Sequence, residues 1–135
     1  MSERSILIMP CSGMGKPFGT IARDATFRVV DEMRKGRAET NCLSLVVMGD
    51  EAAKKQVKES KCIAVDGCPL ECSRKNIEIA GGCIAAHFRV MDLLRENREL
   101  RPRQVTFLDD DGIRLSEILA EKIAVKVDEL GGERP

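Results

Sequence analysis

The chain has no tryptophan, no tyrosine, four phenylalanines and a single histidine in 135 residues. So few flat rings exclude a platform on which successive bases could stack. Charge of one sign is also missing in excess, because 22 basic residues balance 22 acidic ones. General nucleic-acid binding normally needs a basic surplus, so that class of function is not expected either. No stretch approaches the roughly 18 consecutive apolar residues of a membrane helix, and no membrane association is expected. The short apolar run after Met1-Ser2-Glu3-Arg4-Ser5 ends at Pro10. It is too short for a secretory leader and reads as a buried strand. The expected compartment is the cytoplasm.

Hydrophobic residues, at 43% of the chain, suffice for one ordinary core. They are arranged as alternating strands and helices. Ser5 to Met9 suits a buried strand. Phe18 to Lys35 carries Ile21, Ala25, Val29 and Met33 at helical spacing, with Gly36 as the stop. Thr40 to Met48 reads as a second strand, and Glu51 to Ser60 as a short charged helix. Lys61 to Val65 gives the next strand, ended by the turn chemistry of Asp66-Gly67. Pro69 fits the first position of a helix running through Ile79, which Gly81-Gly82 would end. Phe88 to Leu94 suits a strand or a short helix, and Val105 to Leu108 a brief strand. Ser116 to Leu130 is a last amphipathic helix. The alternation predicts an α/β fold: one domain over residues 1–130, a small, mostly parallel sheet with helices on its faces, and a flexible tail at 131–135.

Six cysteines then need an account. In a reducing compartment, clustered thiols bind metal or do redox work more often than they form disulfides. Sites in open α/β sheets form at the carboxyl ends of strands. Cys11 follows the first expected strand, Cys42 lies in or beside the second, and Cys68 and Cys72 follow the third. Four apart at a helix start, Cys68 and Cys72 would share one helix face, and the helix N-terminus would favour their thiolates. A metal ion would bridge them, with bonds near 2.3 Å to sulfur. Four soft thiolates suit zinc or an iron–sulfur cluster. The same groups would also serve thiol redox or sulfur carriage, with Cys11 as the resolving thiol.

The stretch Asp66-Gly67-Cys68-Pro69-Leu70-Glu71-Cys72-Ser73-Arg74-Lys75 resembles the defining motif of the DGC domain family. Pro10-Cys11-Ser12-Gly13 and Asn41-Cys42-Leu43 are similar to that family's other two cysteine segments, in the same order. The resemblance covers roughly the first 90 residues and implies zinc held by Cys11, Cys42, Cys68 and Cys72. It implies no particular reaction.

Other features read more plainly. Cys62 lies in an apolar strand pattern and is expected in the core. Cys83, after two glycines, is expected to be structural or incidental. His87 is expected to be a half-buried histidine at a strand edge. Asp66 is either an acceptor near the thiolates or a turn residue. Asp109-Asp110-Asp111-Gly112 is a solvated turn, lacking the ligand ladder of a cation loop. Cys68 to Arg74 has the spacing of a cysteine-phosphatase loop, but Pro69 has no N–H to offer an anion and Glu71 would repel one. Gly13-Met14-Gly15-Lys16 lacks the spacing of a nucleotide loop. No motif supplies a general base or a substrate, so no enzyme activity and no protein partner are read from the sequence.

Overall fold

The computed structural model describes residues 6–11, 17–67, 70–102 and 108–131. In chain order the elements are β1 (Ile6–Pro10), α1 (Pro17–Arg28) with a π turn at Val29–Met33, β2 (Glu39–Thr40), α2 (Leu43–Met48) and α3 (Glu51–Glu59). There follow β3 (Lys61–Asp66), α4 (Cys72–Ile79), β4 (Cys83–Arg89), α5 (Val90–Glu96) and α6 (Asp110–Leu130). The four strands form one sheet in the order β2-β1-β3-β4, and every pairing is parallel. This is the expected α/β architecture.

Both faces of the sheet are covered, which is why β1 reads as an unbroken apolar run rather than an alternation. All five of its residues are buried. Side chains still alternate between faces along each strand. Ile6, Ile8, Ile63 and Val65 pack against α1, α5 and α6 through Ile21, Ala25, Leu93, Leu119 and Ile123. Leu7, Met9, Cys62 and Ala64 pack on the other face against Leu43, Val46, Val57 and Ile77 of α2, α3 and α4. The chain leaves β1 through α1 toward β2 on one side, and leaves β3 through α4 toward β4 on the other. The direction of winding therefore reverses between β1 and β3. The crevice outside their carboxyl ends is where ligands bind in sheets of this kind.

Several elements differ from their sequence expectation. The strand expected over Thr40–Met48 is only Glu39–Thr40, and α2 begins at Leu43. The buried residues of that run are Leu43 and Val46, while Leu45, Val47 and Met48 are exposed. That is helical spacing, which a short apolar run does not distinguish from a strand. The expected Phe18–Lys35 helix passes into its π turn, where the Arg34 N–H donates to Val29 O at 2.8 Å. Gly36 then follows at φ 80°.

Residues 83–87 extend the sheet as β4, and α5 starts only at Val90, so Phe88–Leu94 is divided between strand and helix. Pairing with β3 along the whole strand overrides a weak local preference. The aspartate turn is the start of α6, with Asp109 Oδ1 accepting the Gly112 N–H at 2.9 Å. Of the strand expected at Val105–Leu108, all but Leu108 lies outside the described residues. No described helix is long and apolar enough to cross a membrane.

Candidate metal centre

Cys11 is the first residue beyond β1. Its N–H donates to Val65 O at 2.9 Å, extending the β1–β3 ladder by one step. The side chain is buried, and its Sγ accepts the Gly67 N–H at 2.9 Å. A donor aimed at sulfur favours the thiolate. Gly67 is a glycine for steric reasons: a Cβ there would lie 2.7 Å from the backbone of Phe18 and Gly19 at the start of α1. The end of β1, the residue before Cys68 and the first turn of α1 are thus pressed together.

Cys42 follows β2 and caps α2 with extended backbone. Asn41 holds it there, accepting the Cys42 N–H at 2.7 Å on Oδ1 while its amide donates to Gln56 Oε1 at 2.6 Å. The Cys42 thiol is exposed. Its pKa is lowered, chiefly by hydrogen bonding from the Ser44 backbone, with the Ser44 side chain and the Leu45 backbone adding to it against a small burial effect. Cys11 and Cys42 line the same pocket of about 280 Å³. Thirty-one positions apart in sequence, they are brought to one opening by the parallel pairing of β1 with β2.

The other flank is built around Asp66, the last residue of β3, which is fully buried. Its Oδ1 accepts the Ser73 N–H at 2.7 Å, and its Oδ2 accepts the Arg74 N–H at 3.2 Å. Oδ2 also lies 2.8 Å from His87 Nε2. The Ser73 hydroxyl donates to Met9 O at 2.6 Å. The start of α4 is therefore tied to both β1 and β3, with a carboxylate under its positive end. Glu71 precedes it in left-handed backbone, φ 58° and ψ 48°. Its carboxylate meets Arg74 Nε at 2.6 Å and Arg89 Nη1 at 3.2 Å. Hydrogen bonding from Arg74, helped by the charges of Arg74, His87 and Arg89, holds Glu71 below the usual carboxylate range.

This backbone corrects one step of the sequence argument. The helix starts at Cys72 rather than at Pro69, after Glu71 in left-handed backbone. The expected helix-face pairing of Cys72 with Cys68 falls on a residue outside the described ones. Cys72 is the half-buried first residue of α4. Cys68 and Pro69 lie outside the described residues. Among the described residues, no group of three or more His, Cys, Asp and Glu is arranged to hold a metal ion. The donor chemistry fits a soft or borderline metal, with Cys11 and Cys42 on one pocket and Cys72 opening α4.

The remaining residues separate cleanly. Cys62 is core, fully buried, with its thiol directed at Val57 O at 3.4 Å. Burial, and secondarily the nearness of Cys83, pushes its pKa up to about 11. Cys83 is exposed at the first residue of β4. Both sit at amino ends of strands; at about 3.3 Å per residue, Cys62 is roughly 13 Å along β3 from Asp66. His87 is half-buried on the edge strand, as expected. Its pairing with Asp66 was not read from the sequence. Neither residue carries a local signal for it; only the β3–β4 pairing brings them together.

A parallel sheet whose winding reverses between β1 and β3, with Cys11 and Cys42 just beyond adjacent strand ends, defines the class: a doubly wound α/β protein. Within it, the chain belongs to the DGC domain family, whose match covers residues 7–111. That span runs from β1 into the first turn of α6 and includes Cys11, Cys42, Cys68 and Cys72. No curated protein and no solved structure matches the chain.

Proposed function

We propose that this protein binds a metal ion, zinc before others, through the thiolates of Cys11, Cys42, Cys68 and Cys72. The observation that carries the reading is the convergence of Cys11 and Cys42 on one pocket, where Cys11 Sγ also accepts the N–H of the residue before Cys68. Membership of the DGC domain family supports it. The chain's own part is to prepare sulfur donors. The Gly67 N–H favours a Cys11 thiolate, Ser44 does the same for Cys42, and Asp66 fixes the helix start that carries Cys72. Bound there, zinc would supply a closed four-thiolate link between strand ends, the usual form of a structural site. A reducing compartment such as the cytoplasm would keep these thiols available.

An iron–sulfur cluster would use the same four donors. Thiol redox or sulfur carriage is favoured by one specific observation: the Cys42 thiol is exposed and its pKa is lowered, with Cys11 on the same pocket. Metal analysis of protein purified without oxygen separates the readings. Zinc binding predicts a colourless protein with about one zinc per chain and thiols protected until a chelator is added. A cluster predicts a brown protein. A metal-free protein with one fast-reacting cysteine contradicts both and favours thiol chemistry.

A further inference from the structure

Left-handed backbone is found at Gly36, Gly49 and Gly81, with φ between 80° and 88°, and at Glu71, with φ 58°. Glycine adopts this conformation without steric cost, whereas a residue with a Cβ is strained there. Such strain persists only where surrounding contacts hold it, and it concentrates at functional sites. Among the described residues Glu71 is the one non-glycine in this state, and it directly precedes Cys72. We propose that Glu71 is a positioning residue for Cys72: its carboxylate, clamped between Arg74 of α4 and Arg89 of β4, holds residue 71 left-handed and so fixes where the Cys72 thiol stands. As a device for holding metal the clamp rests on the zinc reading; as a constraint on Cys72 it stands by itself.

The half-buried Glu71 side chain is tied in two directions. Arg74 Nε, one turn along α4, lies 2.6 Å from Oε1, and Arg89 Nη1 lies 3.2 Å from Oε2. The first pair ties the carboxylate to its own helix and the second ties it to the sheet. Arg89 makes its contact although its Nε is buried without a partner among the described residues. The carboxylate does not cap α4, because Asp66 takes the Ser73 and Arg74 N–H groups. Asp66 therefore holds the backbone just after Cys72, and Glu71 holds the backbone just before it. Glycine would relieve the strain at position 71 but could make neither ion pair. The chain carries the strained residue and gains the anchor.

The test is Glu71→Gly in the full chain, reduced and freed of metal. Glycine keeps the left-handed backbone and removes the clamp, so the denaturation midpoint should stay near that of the parent. Alkylation by iodoacetamide, mapped by mass spectrometry, should reach Cys72 about fivefold faster than in the parent, through looser local packing, with Cys42 unchanged. Zinc affinity, read by competition with a chromophoric chelator, should fall about tenfold. Arg89→Met leaves Arg74 in place and should accelerate Cys72 about twofold. Loss of that positive charge would by itself disfavour the thiolate and slow alkylation, so acceleration there reports position rather than charge. Glu78→Gln removes the other partner of Arg74 and should change neither readout. Parental Cys72 alkylation in both Glu71→Gly and Arg89→Met overturns the proposal. So does an acceleration that Cys42 shares equally, which would mark general loosening. A parent that takes up no zinc contradicts the metal reading, while Cys72 alkylation still decides the role of Glu71.

Discussion

The two flanks of the crevice between β1 and β3 are built in opposite ways. On the α4 flank, Asp66 is fully buried and fixes Ser73, Arg74 and His87, while Ser73 reaches back to Met9. On the β2 flank, Cys42 is exposed at the start of a six-residue helix beside an open pocket. One flank is a closed polar lattice that sets geometry. The other is an accessible edge where the Cys42 thiol meets solvent with a lowered pKa.

That contrast predicts unequal costs. Replacing Asp66 by Ala strands two helix N–H groups and the His87 ring in a buried space, and should cost about 3 kcal/mol or more in a denaturant titration. Asn41→Ala, on the open flank, should cost about 1 kcal/mol or less. Equal losses would break the comparison. Gly67→Ala sits on the seam and forces a Cβ against the Phe18 and Gly19 backbone, for an expected loss of about 2 kcal/mol.

Stability should also respond to alkali through a cysteine away from the site. Cys62 ionises near 11 in the folded chain, against 9.0 for an ordinary thiol. Between those values the unfolded chain carries fewer protons and is favoured. Stability should therefore fall by about 2 kcal/mol as the pH rises from 9 to 11. Cys62→Ala should remove that slope; an unchanged slope would contradict the burial argument. The smallest effect belongs to Cys42. Cys42→Ser should change stability by less than about 0.5 kcal/mol. Yet with metal removed, alkylation mapped by mass spectrometry should reach Cys42 at lower pH than any ordinary thiol, and leave Cys62 untouched.

The sequence exposes this molecule unevenly, for physical reasons. β1, β3, α3 and α6 are legible because their apolar spacing or capping chemistry is local. The run Leu43–Met48 is not, since five apolar residues in six suit a strand and a helix alike until burial picks out Leu43 and Val46. β4 escapes because Cys83 to Arg89 becomes a strand by pairing with β3. At the site, residue types and strand ends are readable, and they bring Cys11 and Cys42 together. The left-handed backbone at Glu71 and the reach of Asp66 to His87 depend on contacts that span the sheet. A helix-face argument for Cys68 and Cys72 could not foresee them.

The central claim is that four cysteines from three strand ends share one metal. Cobalt substitution tests it most directly, because the visible spectrum reports both geometry and ligand type. The account predicts an intense tetrahedral cobalt spectrum with strong sulfur-to-metal charge transfer, at about one cobalt per chain. Serine at Cys11, Cys42, Cys68 or Cys72 should reduce it, and serine at Cys83 should leave it unchanged. A weak octahedral spectrum without sulfur bands, or no cobalt uptake by the reduced protein, would contradict it.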